Sequence, residues 1–402
     1  MTEAGAALAP EDAISRASVF RLDNRVVPVL FAVASAAVLG GGFVTLAPNR
    51  LVSGRPIGLF AAVDGRLSAA IAVLGVALFA TAALPPGRAL YRAAAVLAGA
   101  LLLLALAAAG DAAAAHTATA PALARVSLGA GFWVLFGAAA LAVVDALQRA
   151  AAGPGERVAV VAALAAAFAI MAQAGLFDSL SLAREYQARE PAFAAAFVRH
   201  AALVAAAVGP ALLIGFPLGV AAVRRPRWQG PLFAVLNLLQ TIPSIALFGL
   251  LIVPLSALAA AAPWLAALGV GGIGPAPAII ALILYALLPV VRNTVAGIAG
   301  VDAAVIDAAR GMGMTRRQLF WRVELPLALP LLLAGLRIVT VQTIGLAVVA
   351  ALIGAGGLGT FVFAGLGQYA ADLVLLGALP AIALALAADF LLRIVSAAAS
   401  RR

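Results

Sequence analysis

The sequence predicts an all-α protein that crosses a membrane about ten times. Of its 402 residues, 65% are hydrophobic and only 10% are charged, where a soluble domain carries about 25% charged residues. Apolar runs of membrane-spanning length recur from end to end. Each suffices, as a helix, for a hydrocarbon core about 30 Å thick. Alanine is abundant and there are 39 glycines, a composition that suits close helix packing in lipid.

Taken in order, the expected spans are 27–47, 67–85, 90–109, 126–147, 158–177, 201–223, 232–255, 276–296, 327–352 and 372–394. The first is read as a span rather than a secretory signal. It is longer than a signal's apolar stretch, and acidic residues (Glu3, Glu11, Asp12, Asp23) precede it. The loops then set orientation. If the N-terminus is cytoplasmic, inside segments hold 18 arginines and outside loops 7, with Arg337 inside a span. That excess on one side predicts an N-in, C-in topology. The net charge of +10 is mostly this topology signal. The arginines are scattered between spans rather than gathered in a patch, so no nucleic-acid partner is expected.

Absences exclude several chemistries. There is no cysteine, so disulfides and thiolate metal sites are ruled out. All 26 basic residues are arginine, whereas a Walker A loop needs a lysine at the phosphates. The two histidines, His116 and His200, cannot build a multi-histidine metal site. No catalytic residue, metal site or resident cofactor is expected, and the chain does not read as an enzyme.

The chain divides near the polar stretch that follows Phe177. Residues 1–180 form one expected membrane domain, with spans of little besides Ala, Leu, Val and Gly. Residues 181–402 form the second. There, prolines, amides and charges lie in or beside the spans, so function is placed in this half.

One segment of that half departs from the surrounding apolar chain: "DAARGMGMTRRQLFWRVELP", Asp307 to Pro326, expected on the cytoplasmic side. Asp302 is placed to cap a helix through "AAVIDAARGM". Gly313 supplies the residue past its end, where a left-handed backbone is cheap for glycine. Thr315, with Gln318 three residues on, forms a capping-box signature for a second helix. Leu319, Phe320 and Val323 recur at helical spacing, and Pro326 is expected to end the run before the ninth span. This pattern fits two readings, an amphipathic linker on the lipid surface or a rigid two-helix docking element.

The segment resembles the EAA loop of binding-protein-dependent ABC importer permeases, whose pattern is E-A-A, three residues, G, nine residues, I-x-L-P. Here Asp307, Ala308 and Ala309 are followed at that spacing by Gly313 and then by Val323, Leu325 and Pro326, with Asp for Glu and Val for Ile. The stretches "LQTIPSIALFGLL", "ALILYALLPVVRNTVAGI", "LPLALPLLLAGLR" and "LIGAGGLGTFVFAGL" resemble the osmoprotectant branch (glycine betaine, carnitine, choline). The extra N-terminal membrane domain is similar to low-affinity members of that branch. The resemblance covers about 200–395. It implies a type I importer permease core with a cytoplasmic coupling loop at 302–325. It also implies a separate ATPase dimer that holds ATP and Mg, an extracytoplasmic binding protein, and a second permease copy or paralogue, all at the bacterial inner membrane. The first 200 residues carry no matched motif, and their role is left open.

Other constellations are weighed on their own chemistry. Asn237, Gln240, Thr241 and Ser244 fall at i, i+3, i+4 and i+7, one face of a helix. They point either to a water-filled translocation path or to a helix contact, and Pro243 among them favours a kink. Tyr285, Gln342 and Thr343 are further path candidates. "GAGGLG", with Gly354, Gly356, Gly357 and Gly359, satisfies G-x-G-x-x-G, yet it follows a membrane helix rather than a strand. It is read as close-packed backbone near an outer gate. Arg337 and Asp389 are intramembrane charges: Arg337 is placed either to snorkel to the inner face or to pair with Asp389, for which Arg393 competes, and the pair reads as structural or as part of transport. An ion-coupled secondary transporter would need carboxylates along the path, and spans six to nine contain none. An ABC permease for another small solute, such as an amino acid or an oxyanion, is the other alternative.

Overall fold

A computed structural model of the protein describes residues 24–50, 52, 54–267 and 269–399. Arg16, Arg21, Arg401 and Arg402, which enter the topology count, lie outside them. The chain forms two compact units, one ending at Ala183 and the other beginning at Arg184. Among the described residues, nine helices are long and apolar enough to cross a membrane, and Val26–Gly40 is a shorter apolar helix.

The first unit contains α1 (Val26–Gly40), β1 (Val44–Ala47), β2 (Arg55–Ile57), the single turn α2 (Leu59–Ala62), α3 (Gly65–Ala80), α4 (Arg88–Ala118), β3 (Arg125–Leu128), α5 (Ala130–Arg149) and α6 (Pro154–Gln173). Its core is a seam of alanines. Ala98, Ala105, Ala109 and Ala112 of α4 are fully buried, and Ala139, Ala142 and Ala146 of α5 are almost so. Side chains this small let two helix backbones approach closely, which is how helices gain packing energy where lipid competes for apolar contact.

The expected spans at 27–47 and 126–147 need correction at their outer ends. The helix of the first stops at Gly40, Gly41 turns extended, and residues 44–47 are strand. Residues 125–128 are strand as well. β1 pairs antiparallel with both β2 and β3, so that Val44 faces Ile57 on one side and Leu128 on the other. The pairing satisfies backbone groups that an apolar setting would otherwise leave costly. The beginning of α1 is tied to the last turns of α5 by one carboxylate. Asp145 accepts from Asn24 Nδ2 at 2.9 Å and from Arg149 Nε at 2.9 Å.

Helix α7 (Ser181–Gln187) lies at the division between the units. The second unit then holds α8 (Glu190–Arg224), α9 (Pro226–Thr241), α10 (Ser244–Ala261), α11 (Pro263–Ala267), α12 (Pro275–Ala299), α13 (Ala303–Gly311), α14 (Arg316–Leu319), α15 (Leu325–Val349), α16 (Gly359–Gly367) and α17 (Ala371–Ala399). Helix α12 is its centre. Leu282, Ala286 and Val290 pack with Val204, Ala207 and Ala211 of α8 and with Val339 and Ala347 of α15. Helix α8, at 35 residues, is roughly 52 Å long at 1.5 Å per residue, well beyond a 30 Å hydrocarbon core.

Two expectations about continuity are corrected here. The span expected over 232–255 is broken at Ile242 and Pro243, both extended. Proline disfavours helical backbone in the residue before it, so α9 and α10 are separate helices. Conversely, Pro326 does not separate the second coupling helix from the ninth span. The helical path runs from Arg316 to Ile353, with one widened π turn over Phe320–Glu324 in which the Leu325 N–H reaches back to Phe320 O. Proline lacks an N–H and its ring crowds the carbonyl four residues back. A turn with one extra residue relieves both problems.

Candidate functional site

The segment 302–326 is capped as its sequence predicts. Asp302 accepts from Ala304 N at 2.9 Å and starts α13. Thr315 and Gln318 form the reciprocal capping box, with Thr315 N to Gln318 Oε1 at 2.8 Å and Gln318 N to Thr315 Oγ1 at 3.3 Å. Between the helices Gly313 has φ +78°, a conformation that costs any Cβ-bearing residue about 1–2 kcal/mol. Ala309 and Leu319 are buried, while Asp307 and Ala308 are exposed. Among the described residues Asp307 is bonded only within the segment, to Arg310 at 3.3 Å. Val323 and Leu325 are half-buried and Pro326 is exposed. The geometry is a capped two-helix corner whose surface carries Ala308 and Met312, the latter at 72% exposure, beside the exposed Arg310, Arg316 and Arg317.

A residue pair that the sequence reading missed anchors this corner. Glu324, in the widened turn, is buried, with 3% of its side chain exposed. It accepts two hydrogen bonds from the guanidinium of Arg224, the last residue of α8, whose side chain is 45% exposed. Arg224 also lies over the Phe320 ring at 5.9 Å. A lone carboxylate at the entry of an apolar span must find a cation, and that was the available signal. The partner lies 100 residues away, and local spacing could not name it.

The polar residues of α9 and α10 do not form one helix face, because the break at Ile242–Pro243 intervenes. Instead they close that break. Tyr285 of α12 is buried and donates its hydroxyl to the Ile242 carbonyl, while Gln240 Nε2 donates to the Tyr285 carbonyl at 2.5 Å. Thr241 turns back to Leu238 O at 2.7 Å. Asn237 accepts from Arg292 of α12 at 3.2 Å. Ser244 begins α10 and is half-buried. On α15, Thr343 is buried and Gln342 half-buried; no hydrogen bond joins either to this group among the described residues.

The glycine loop is held by two neighbouring residues of α8. Gly354, Gly356 and Gly357 have φ of +78°, +80° and +84°. Arg199 Nε donates to Ala355 O at 3.1 Å. His200, fully buried, places Nε2 3.1 Å from Ile344 O on α15. A Cβ at Gly357 would stand a tight 3.1 Å from His200 Nδ1, and the left-handed backbone there adds to the preference for glycine. Gly359 begins α16. The structure also brings the intramembrane charges together. Asp389 of α17 meets Arg337 of α15 at 3.2 Å and Arg393, one turn on, at 2.6 Å.

The fold and these sites define a multi-pass transport subunit, and comparison with known proteins gives its family. Residues 211–401 match the binding-protein-dependent transport system inner membrane component, and residues 23–183 match the N-terminal domain of the ABC transporter permease YehY. The carnitine transport permease protein OpuCB of Listeria monocytogenes is 41% identical over 194 residues, 48% of this chain and 82% of that protein. The osmoprotectant import permease protein OsmW of Salmonella typhimurium is 43% identical over 194 residues, 48% of this chain and 85% of that one. The choline transport system permease protein OpuBB of Bacillus subtilis is 38% identical over 192 residues, 48% and 80% of the two chains. Among solved structures, an inward-facing MetNI methionine ABC transporter aligns with 50% of this chain and 93% of its own, at 24% identity and a TM-score of 0.44. The chain therefore belongs to the permease components of binding-protein-dependent ABC importers, and its first unit is the domain that in YehY precedes the permease core.

Proposed function

We propose that this permease imports glycine betaine or a related quaternary-ammonium osmoprotectant by alternating access, driven by a separate ATPase. The substrate class rests on the relatives, whose names specify carnitine, choline and osmoprotectants. The coupling role rests on one observation: segment 302–326 is capped at both helix starts, turned by a left-handed glycine and pinned to α8 through Glu324. A linker needs no such rigidity, whereas an element that transmits force does. Asp307, Ala308, Gly313 and Pro326 present the docking surface to an ATPase dimer, which binds the ATP and Mg, while Ala309, Val323 and Leu325 pack the corner beneath it. An extracytoplasmic binding protein delivers the ligand, and a second permease copy or paralogue completes the path. In the bacterial inner membrane both termini face the cytoplasm, as the arginine distribution favours.

The break between α9 and α10 is the natural place for that path. Non-helical backbone at membrane depth is tolerated where it lines a cavity or is buried in protein. Asn237, Gln240, Thr241, Ser244 and Tyr285 surround it, with Gln342 and Thr343 as further lining, and the glycine loop 354–359 acts as the gate. Residues 1–180 form a separate membrane domain and 181–402 the transporting core. Uptake of labelled glycine betaine into ATP-loaded vesicles holding the permease with its ATPase and binding protein tests the assignment. Uptake that depends on both ATP and binding protein is the expected result. A system that takes up only amino acids or oxyanions under these conditions refutes the substrate class.

A further inference from the structure

A cleft of about 510 Å³ opens beside the corner, with Arg224, Arg310, Arg316 and Arg317 around it and Val220, Met314, Leu319 and Phe320 as the rest of the lining. Two of the four guanidiniums are paired with carboxylates that lie outside the lining. Glu324 is committed to Arg224 and Asp307 to Arg310. Arg316 and Arg317 are exposed and have no acidic partner among the described residues. They also stand in the first turn of a helical path that runs to Ile353, where the backbone dipole disfavours cations. Positive charge is thus concentrated where the fold itself gives it no compensation, and an anion supplies it.

The position of the cleft selects the anion. Val220 and Arg224 belong to the last turn of α8, which is longer than the hydrocarbon core is thick, and Phe320 lies where the chain enters the span of α15. Trp228, one turn's length of chain past Arg224, and Trp321, in ring contact with Phe320, are 52% and 57% exposed, and exposed tryptophans of this kind mark the headgroup level of a bilayer. An arginine rim over apolar side chains at that depth matches a phosphate carried on a lipid, with its glycerol and chain carbons against the apolar lining. We infer that this cleft is a binding site for the headgroup of an anionic phospholipid. The site requires neither the substrate nor the coupling role proposed above, so each stands or falls separately.

The test is native mass spectrometry of the full chain released from micelles containing equal phosphatidylglycerol and phosphatidylcholine. The wild-type chain should retain phosphatidylglycerol in preference to phosphatidylcholine. The double variant R316Q/R317Q should bind it about 25-fold more weakly, at about fivefold per arginine. R66Q/R88Q, which removes two exposed arginines outside the cleft, should bind as the wild type does. Equal retention of the two lipids, undiminished binding by R316Q/R317Q, or the same loss in R66Q/R88Q overturns the site. Displacement of the lipid by excess inorganic phosphate assigns the cleft to a free phosphate and overturns the lipid assignment. So does a R316Q/R317Q chain that keeps its lipid but loses a co-purified protein, which would make the arginines a protein contact.

Discussion

The two units are built from the same apolar alphabet and use it differently. In the first, the α4–α5 seam is nearly all alanine, and its few polar ties, such as Asn24–Asp145–Arg149, sit at helix ends. In the second, the helices are interrupted. Proline breaks α9 from α10, a widened turn precedes Pro326, and three left-handed glycines follow α15. At each interruption a side chain from a distant helix closes the gap: Tyr285 at the first, Arg224 at the second, Arg199 and His200 at the third. A seam of small side chains has one good packing. Breaks bridged by one or two hydrogen bonds can be exchanged for others at modest cost, which is what a transporter that changes conformation requires.

That contrast can be broken by substitution. Ala108→Leu, in the fully buried α4 seam, should overpack the first unit and lower stability by about 3 kcal/mol, read as a fall in thermal midpoint in detergent. Betaine uptake per folded molecule should hold; a parallel loss of specific uptake would mean the seam takes part in transport. Arg224→Ala leaves Glu324 buried without its cation. The expected loss is about 2 kcal/mol, below that of a fully buried pair because Arg224 is 45% exposed. Here uptake should fall further than stability does, and Arg224→Ala with Glu324→Gln should recover stability but not uptake. Tyr285→Phe removes the hydroxyl that caps the Ile242 carbonyl and should cost about 1 kcal/mol. Its sharper readout is the rate of uptake, since it loosens one break and leaves the packing intact. An unchanged rate would remove the α9–α10 break from the path.

What the sequence disclosed follows from the range of each interaction. Asp302, the Thr315–Gln318 box and Gly313 were legible because caps and left-handed turns are made by residues within a few positions of each other. Membrane spans were legible because length and hydropathy alone define them. The strand at 44–47 was not, since a short apolar run looks the same for either element. The polar stripe over 237–244 was read as one face because its spacing is helical, and Pro243 overrode that spacing. The Arg224–Glu324, Arg199–Ala355 and His200–Ile344 contacts join positions 100, 156 and 144 residues apart. No local pattern encodes them.

The central claim is that the corner at Gly313 transmits the ATPase's closure to the membrane helices, and a pair of glycines tests it most directly. A Cβ at Gly311 or Gly313 would meet open space apart from its own local backbone, so the two positions do not differ in crowding at Cβ. They differ in backbone: Gly311 ends α13, whereas Gly313 has φ +78°. Uptake is measured for both variants at equal membrane expression, alongside stimulation of the ATPase by loaded binding protein. Gly313→Asp strains the corner and puts bulk and charge on the docking surface; it should abolish uptake and stimulation while inserting normally. Gly311→Ala, with alanine the better helix former, should transport at close to the wild-type rate. Wild-type uptake by Gly313→Asp would contradict the account and leave segment 302–326 a surface linker.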